Sequence, residues 1–270
     1  MVATDFQRGI LRLLADRRRA RGESYVAGGV ALNQLLGAPR RSQDIDLFHD
    51  SEEALGQSWR EDRGLLEADG YGVEVLREAP SFVEARVSRG AQRVLMQWAR
   101  DSAFRFFPLV EDELMGLALH PFDLATNKVL AMAGRLEPRD WIDVLHCDGN
   151  LQPLGFLAWA ACGKDPGHNP RSLLSEASRA HYSQAELDAL EFQGPAPDAA
   201  DLGRRWHGIL REAKEVCDLL PPGELGKCVA TPNGELFRGT AGELEAALRQ
   251  GGVRFHAGRL GGAWPSFKGS

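Results

Sequence analysis

The sequence predicts an α+β fold, with a mixed sheet in its first half and helices in its second half. Up to residue 69, short apolar strand candidates alternate with amphipathic helix candidates, and three consecutive strand candidates follow. After Pro108 the pattern changes to that of helices. We expect three parts: a core at residues 1–110, a helical region at 111–222 and a hairpin-helix-strand element at 223–270.

Glycines and a cap residue bound the elements of the first half. Gly37 ends a predicted helix at residues 30–37, and Ser51 caps a helix that runs to about Asp69. The predicted strands are residues 24–27, 44–48, 71–77, 81–87 and 93–98.

Cap residues and prolines also bound the elements of the second half. Asp123 is expected to cap a helix, and Ser183 with Glu186 reads as a capping box for another. Asn233 and Gly234 predict a hairpin turn. The predicted helices are residues 124–136, a segment from residue 139, the apolar segment 154–163, residues 201–220 and residues 241–249, and a last strand is expected at 253–256.

Charge limits the ways in which this chain could bind nucleic acid. The net charge is −6, so the chain is no polycation and binding would require a local basic patch. The first predicted helix reads either as a solvated amphipathic face or as a phosphate-attracting surface. Its arginines are Arg8, Arg12, Arg17, Arg18, Arg19 and Arg21.

Cysteine usage and hydropathy indicate the compartment. Four widely spaced cysteines form no Cys-x-x-Cys pair, which argues against a zinc site or a disulfide scaffold and predicts reduced thiols in the cytoplasm. No apolar run approaches the length of a membrane span, and Asp5 and Asp16 interrupt the first helix, which is therefore not a signal peptide. We expect no membrane partner.

Two aspartates separated by one residue suggest a metal site. Side chains alternate along a strand, so Asp44 and Asp46 share one face while Ile45 and Leu47 point into the core. Two carboxylates this close repel each other unless a cation lies between them. Oxygen ligands suit Mg²⁺ (or Mn²⁺), which takes further ligands from water and phosphate.

Gly28 and Gly29 supply the second half of this pattern. They lie at a strand-to-helix turn, where backbone N–H groups and the helix N-terminus favour an anion. A lone Asp-x-Asp would read as a solvated strand end, and a lone Gly-Gly as a turn. Their spacing, with Arg40 and Ser42 between them, predicts a cradle for a metal-bound triphosphate.

Two motifs resemble those of a known family. "GGVAL", followed by Arg-x-Ser-x-Asp-Ile-Asp-Leu-Phe, is similar to the signature of polymerase-beta-like nucleotidyltransferases, closest to the AbiEii/AbiGii toxin branch with its MenT-type members. The segment "DLATNKVLAMAGRLEPRDWIDVL" resembles the helical lysine and the Arg-Asp-x-x-Asp helix of that branch. The resemblance covers roughly residues 20 to 150 and implies that residues 1–110 form the nucleotidyltransferase core, which the helical region completes.

The resemblance also implies roles for individual residues. Asp44 and Asp46 would hold the metal, with Arg40 and Ser42 beside the phosphates. Lys128 would neutralise the triphosphate and Asp143 would complete the site. Read alone, Lys128 would be a surface lysine, Asp143 a partner of Arg139, and Asp140 a helix cap; we rank Asp143 above Asp140.

This sequence departs from the family pattern in two places. The usual Gly-Ser is Gly28-Gly29 here, which the branch tolerates. Many members carry a third carboxylate on a neighbouring strand, but the matching strand has Gln97 inside it and Asp101 after it. Glu84 is another possibility, so the general base is left unassigned.

The resemblance implies a Mg-dependent enzyme that moves an NMP from an NTP to an acceptor. The expected acceptor is RNA, a tRNA 3′ end, and the protein would act as a toxin paired with an antitoxin. Two alternatives stay open. One is an antibiotic-type enzyme that modifies a small molecule, and the other is a catalytically silent nucleotide-binding module.

Overall fold

The computed structural model describes residues 3–266, and the predicted elements occur there in the predicted order. The expected change to helix after Pro108 comes later, because residues 110–112 and 116–118 are two unpredicted strands that join the main sheet. The helices are α1 (Asp5–Arg21), α2 (Gly28–Leu36), α3 (Glu52–Ala68), α4 (Pro121–Arg135), α5 (Pro138–Asn150), α6 (Leu154–Ala161), α7 (Pro170–Ala177), α8 (Gln184–Asp188), α9 (Ala199–Leu219) and α10 (Ala241–Gln250). The strands are β1 (Ser24–Ala27), β2 (Asp44–His49), β3 (Gly72–Ala79), β4 (Phe82–Arg89), β5 (Gln92–Arg100), β6 (Phe104–Arg105), β7 (Val110–Asp112), β8 (Gly116–Ala118), β9 (Cys228–Ala230), β10 (Arg254–His256) and β11 (Arg259–Leu260). The predicted α+β class is confirmed.

By packing, the chain divides into two compact units. The first contains the residues up to Ala103 together with Leu109–His120, and the second contains Phe104–Pro108 and the residues from Pro121 onward. The C-terminal αβ element belongs to the second unit, where Val229, Leu244 and Val253 share an apolar cluster with α6 and α9. Among residues 3–266, no helix is long and apolar enough to cross a membrane.

The first unit is built on a mixed seven-stranded sheet in the order β3-β4-β5-β2-β1-β8-β7. β2 runs parallel to β5 and antiparallel to β1, and β4 pairs antiparallel with β5. Side chains alternate between the two faces of the sheet, and Ile45, Leu47 and Trp98 are fully buried on one of them. On that face Trp59 of α3 packs edge-on against Trp98. The opposite face carries the partly exposed Asp44 and Asp46. Helix packing on one face therefore leaves the aspartates on the other.

Three arginines of α1 are engaged by neighbouring elements of the first unit. Arg17 forms ion pairs with Glu61 and Asp62 of α3, at 2.7 and 3.2 Å. Arg18 is buried and donates to the carbonyl oxygen of Met115. Arg19 donates to two further carbonyl oxygens of the same loop. Arg18 therefore lies on neither a solvated face nor a phosphate-binding surface, and Arg17 and Arg19 already have partners within the first unit.

Asp123 and the C-terminal turn also differ from the prediction. Asp123 lies inside α4, where its carboxylate accepts backbone N–H groups of Phe106 and Phe107 and pairs with Lys164. A buried aspartate with three donors supports a distant loop, so it is no helix cap. At Gly234, with φ +87°, the chain turns as expected, but its return segment makes one β-bridge, and β9 pairs instead with β10.

His49 gives the first unit a predicted sensitivity to acid. Its ring is buried on the helix-covered face of β2, and burial lowers its pKa to about 4, with the nearby Arg18 and Arg17 adding to the effect. The unfolded chain binds a proton near pH 6.5, so stability should be lost as pH falls from 6.5 towards 4. The full loss is on the order of 3 kcal/mol, at about 1.4 kcal/mol per pKa unit.

Urea unfolding at pH 7.5 and at pH 5 measures this effect. We expect the wild type to lose more stability between the two pH values than His49→Gln, which has no proton to gain there. Equal losses in both proteins would show that His49 does not carry this pH dependence.

Candidate active site

The two aspartates lie on the face of the sheet opposite the packed Trp59 and Trp98, which we call the open face. Asp44 and Asp46 alternate with the fully buried Ile45 and Leu47, and each is partly exposed. Asp46 lies opposite Ala27 on β1, the last residue before α2 begins. Register thus brings the second aspartate to the point where the chain turns from strand into helix.

At this turn Gly28 is required for two independent reasons. Its φ is +63°, a backbone conformation that side chains disfavour. A Cβ added here would lie 1.6 Å from Oδ2 of Asp46, closer than any van der Waals contact. The N-terminal turn of α2 therefore lies against the Asp46 carboxylate, with its backbone N–H groups at the same place.

Gly29 forms the same kind of contact with the other two predicted residues. A Cβ on Gly29 would lie 2.7 Å from Oγ of Ser42 and 2.8 Å from Nη2 of Arg40. The Arg40 side chain is buried, and Gln7 of α1 donates to the carbonyl oxygen of Ser42 at 2.8 Å. The first unit therefore places Asp46, Ser42 and Arg40 around one helix start.

The packing at Gly28 makes a testable prediction. Gly28→Ala should displace Asp46 and strain the turn, and should lower stability by about 1 to 3 kcal/mol. Any NTP affinity should fall with it. Gly64→Ala in α3 is the matched control, because a Cβ there meets nothing within 4 Å. Urea unfolding compares the two, and equal midpoints would contradict the close contact at Gly28.

The donor set of this cradle fits a cation that arrives with a nucleotide. Among residues 3–266 no group of three or more His, Cys, Asp or Glu side chains is arranged to hold a metal ion. Mg²⁺ often takes only one or two protein carboxylates and completes its shell with water and phosphate oxygens. Asp44 and Asp46, beside an anion-favouring helix start, match that pattern.

The position next to Asp46 on β5 is occupied by a neutral amide. Gln97 lies in register with Asp46, and Nε2 of Gln97 donates to Oε1 of Glu84 at 2.8 Å. Asp101 follows β5, and its backbone N–H donates to the carbonyl oxygen of His49 at the end of β2. Neither carboxylate therefore takes the position beside Asp46. Sequence alone did not reveal the pair between Gln97 and Glu84, which only strand register creates.

In the second unit, Lys128 is a buried ion-pair partner and not a surface lysine. Its Nζ lies 2.9 Å from Oδ1 of Asp140 and 2.8 Å from Oδ2 of Asp143. Burial alone would lower the pKa of Lys128, but the charges of Asp143 and Asp140 outweigh it and raise the pKa overall. The lysine is thus held in its charged form by two aspartates of α5.

Asp140 has a larger part in this network than the sequence suggested. Glu137, not Asp140, is the cap residue of α5. Arg135 donates to both oxygens of Asp140, and these bonds and Lys128 lower its pKa although burial alone would raise it. The interpretation of Asp140 as a helix cap is therefore wrong. The Arg135 contact was missed, although the short loop between α4 and α5 could have suggested it.

Comparisons with known proteins bear on the family and on the fold of this chain. A sequence model of the family described as nucleotidyl transferase AbiEii toxin, type IV TA system, matches residues 12–162, more than half of the chain. The structure is similar to that of a candidate nucleotidyltransferase from H. pylori, with a TM-score of 0.54 and 14% identity, covering 79% of this chain and 95% of that chain. No curated protein sequence matches the chain.

A second solved structure also shares the fold. MenT4, the nucleotidyltransferase toxin Rv2826c from Mycobacterium tuberculosis H37Rv, is similar with a TM-score of 0.51 and 16% identity, covering 81% of this chain and 85% of that chain. Identities this low show a common fold, whereas the family match rests on the sequence itself. The chain belongs to the AbiEii family of nucleotidyltransferase toxins from type IV toxin–antitoxin systems.

Proposed function

We propose that this nucleotidyltransferase moves an NMP from an NTP to a hydroxyl group of RNA, with Mg²⁺ or Mn²⁺ held by Asp44 and Asp46. The observation that carries the proposal is the contact between Gly28 and Asp46. It unites an anion-binding helix start and a metal-binding carboxylate at one point. A metal-bound triphosphate needs both.

In the proposed reaction, different residues of the first unit bind the phosphates and the cation. N–H groups at the start of α2, with Arg40 and Ser42, would bind phosphate oxygens and orient the α-phosphorus. The cation would supply positive charge to the phosphate oxygens as charge moves onto the leaving group. The acceptor oxygen bonds to the α-phosphorus, the bond from that phosphorus to the bridging β-oxygen breaks, pyrophosphate leaves, and the hydroxyl proton passes to water.

Lys128 and Asp143 extend the proposal to the second unit. Their support is the buried network, in which Lys128 stays protonated and is held at a fixed position by two carboxylates. We propose that Lys128 offsets triphosphate charge and that Asp143 orients its ammonium group. Asp140, held by Arg135, serves the same lysine.

The acceptor, the partner and the compartment also belong to the proposal. The toxin family supports an RNA acceptor, a tRNA 3′ end, together with an antitoxin and a cytoplasmic location where NTPs and RNA are present. The engagement of Arg17, Arg18 and Arg19 within the first unit leaves a smaller basic surface for RNA than the sequence offered. This observation keeps a small hydroxylated acceptor as the second candidate.

A labelling experiment tests the proposal. Purified protein is incubated with each of the four α-³²P-labelled NTPs and unfractionated cellular RNA in Mg²⁺, and pyrophosphate release is measured in parallel. We expect label on RNA from at least one NTP and its loss in EDTA. Pyrophosphate release that needs a small hydroxylated molecule instead of RNA would favour the second candidate, and NTP binding without pyrophosphate release would favour a silent module.

A further inference from the structure

Three polar side chains form a row across the open face of the sheet. Asp46 on β2 pairs in register with Gln97 on β5, and Gln97 pairs in register with Glu84 on β4. Paired residues on neighbouring strands lie about 5 Å apart and project to the same face. All three are partly exposed and alternate with buried apolar residues. Gln97 is thus placed directly between the proposed metal ligand and a second carboxylate.

Glu84 determines which end of the Gln97 amide is offered to a ligand. Oε1 of Glu84 accepts a hydrogen bond from Nε2 of Gln97 at 2.8 Å. An ionised carboxylate only accepts hydrogen bonds, so it selects the amide orientation in which the NH₂ group faces β4. The carbonyl oxygen of Gln97 must then point away from Glu84.

We infer that Gln97 is an acceptor-positioning residue, whose Oε1 accepts the hydrogen bond of the attacking hydroxyl while Glu84 holds its amide in place. This inference rests on the proposed function. A hydroxyl group has one hydrogen to donate and keeps its lone pairs when it does so. Donation to Gln97 would direct a lone pair towards an α-phosphorus bound beside Asp46. The amide does not take up the proton of the hydroxyl group, and this proton passes to water.

A purely structural pair would behave differently. A cross-strand contact between Gln97 and Glu84 would contribute to sheet stability and to nothing specific to the acceptor. Glu74 on β3 and Arg86 on β4 form a comparable polar pair on the same sheet, away from Asp46. Glu74→Gln therefore provides a matched control for the removal of one carboxylate charge from a polar pair on this sheet.

The first test separates acceptor use from nucleotide binding. Rates of RNA labelling are measured against RNA concentration, and the dissociation constant of the NTP is measured separately. For Gln97→Leu we expect kcat/KM for RNA to fall roughly 10- to 100-fold, as for a lost orienting contact, with an unchanged NTP dissociation constant. Glu84→Gln should cause a smaller loss of kcat/KM for RNA, because two neighbouring amides can form a hydrogen bond with the Gln97 amide in either orientation. Glu74→Gln should match the wild type.

The second test uses another variant at position 97. Gln97→Met keeps the length of the side chain and removes the amide, so kcat/KM for RNA should fall as in Gln97→Leu, again with an unchanged NTP dissociation constant. In Glu84→Met the Gln97 amide loses the partner that fixes its orientation. We expect kcat/KM for RNA to fall in Glu84→Met too, but less than in Gln97→Met.

Two outcomes would overturn the inference. One is an unchanged kcat/KM for RNA in Gln97→Leu and in Gln97→Met. The other is an equal loss of NTP binding and RNA use. If Gln97→Leu does not fold, Gln97→Met and Glu84→Met decide. Asp46→Asn, assayed in parallel, tests the proposed function, because transfer by that variant would overturn the site itself and not only the role of Gln97.

Discussion

Replacing Asp46 by asparagine is expected to reduce nucleotidyl transfer by roughly 10³-fold or more, because the loss of one charged ligand weakens cation and triphosphate together. The fold should persist. Asparagine has the same shape, so the close approach of Gly28 is unaffected, and the substitution removes the repulsion between Asp46 and Asp44. The variant should therefore unfold in metal-free buffer at no lower urea concentration than the wild type.

Two measurements complete this prediction. Electron paramagnetic resonance of Mn²⁺ in the presence of NTP should show weaker binding in Asp46→Asn, independent of any transfer. Asp101→Asn, at the end of β5, serves as the control carboxylate and should retain wild-type transfer and Mn²⁺ binding. If Asp46→Asn transferred NMP at the wild-type rate, the aspartate pair would have no part in the chemistry.

Replacing Lys128 by methionine is expected to produce a large loss of stability in the second unit. The side chain is 9% exposed and pairs with two fully buried carboxylates. Removing the ammonium leaves those charges without their shared partner, and breaking a buried pair in this way costs about 3 to 5 kcal/mol. Arg135 still contacts Asp140, so the cost should come mainly through Asp143.

Urea unfolding of matched variants measures this cost. Lys227→Met removes a lysine that pairs with Glu224 at 2.6 Å, but this pair is solvent-accessible, so its loss should change stability by about 1 kcal/mol or less. Adding Asp143→Asn to Lys128→Met should recover part of the lost stability. Similar midpoints for Lys128→Met and Lys227→Met would mean that the network of Lys128 is no stronger than a surface pair.

The rate of nucleotidyl transfer by Lys128→Met tests the proposed catalytic role of Lys128. At a temperature and urea concentration where the variant stays folded, an unchanged kcat/KM for NTP would leave Lys128 with a structural role only. A loss of kcat/KM that Asp143→Asn does not reverse would support charge neutralisation of the triphosphate.

Features whose cause lies within a few residues could be predicted from the sequence. Alternation along β2 places Asp44 and Asp46 on one face wherever the strand lies. Gly28 and Gly29 predict a turn that other residues would strain, and the cap at Ser51 accepts the backbone N–H of Ala54 as expected. These local patterns, with the two motifs that resemble the family, were sufficient for the fold class and for the proximity of Gly28 to Asp46.

Contacts between groups that are distant in the chain depend on tertiary packing and could not be predicted from the sequence. Nothing near Gln97 in the chain indicates that it lies between Asp46 and Glu84, because register joins strands that are separate in sequence. The charge pattern of α1 could not show that the acidic side chains of α3 and the carbonyl groups of the 112–115 loop would bind its arginines. A charge has the same local sequence signal whether it faces water or a buried partner. The partner of a charge depends on how the helices and strands pack. Packing places Arg17 and Arg18 in structural contacts and puts Lys128 at the centre of a buried ion-pair network.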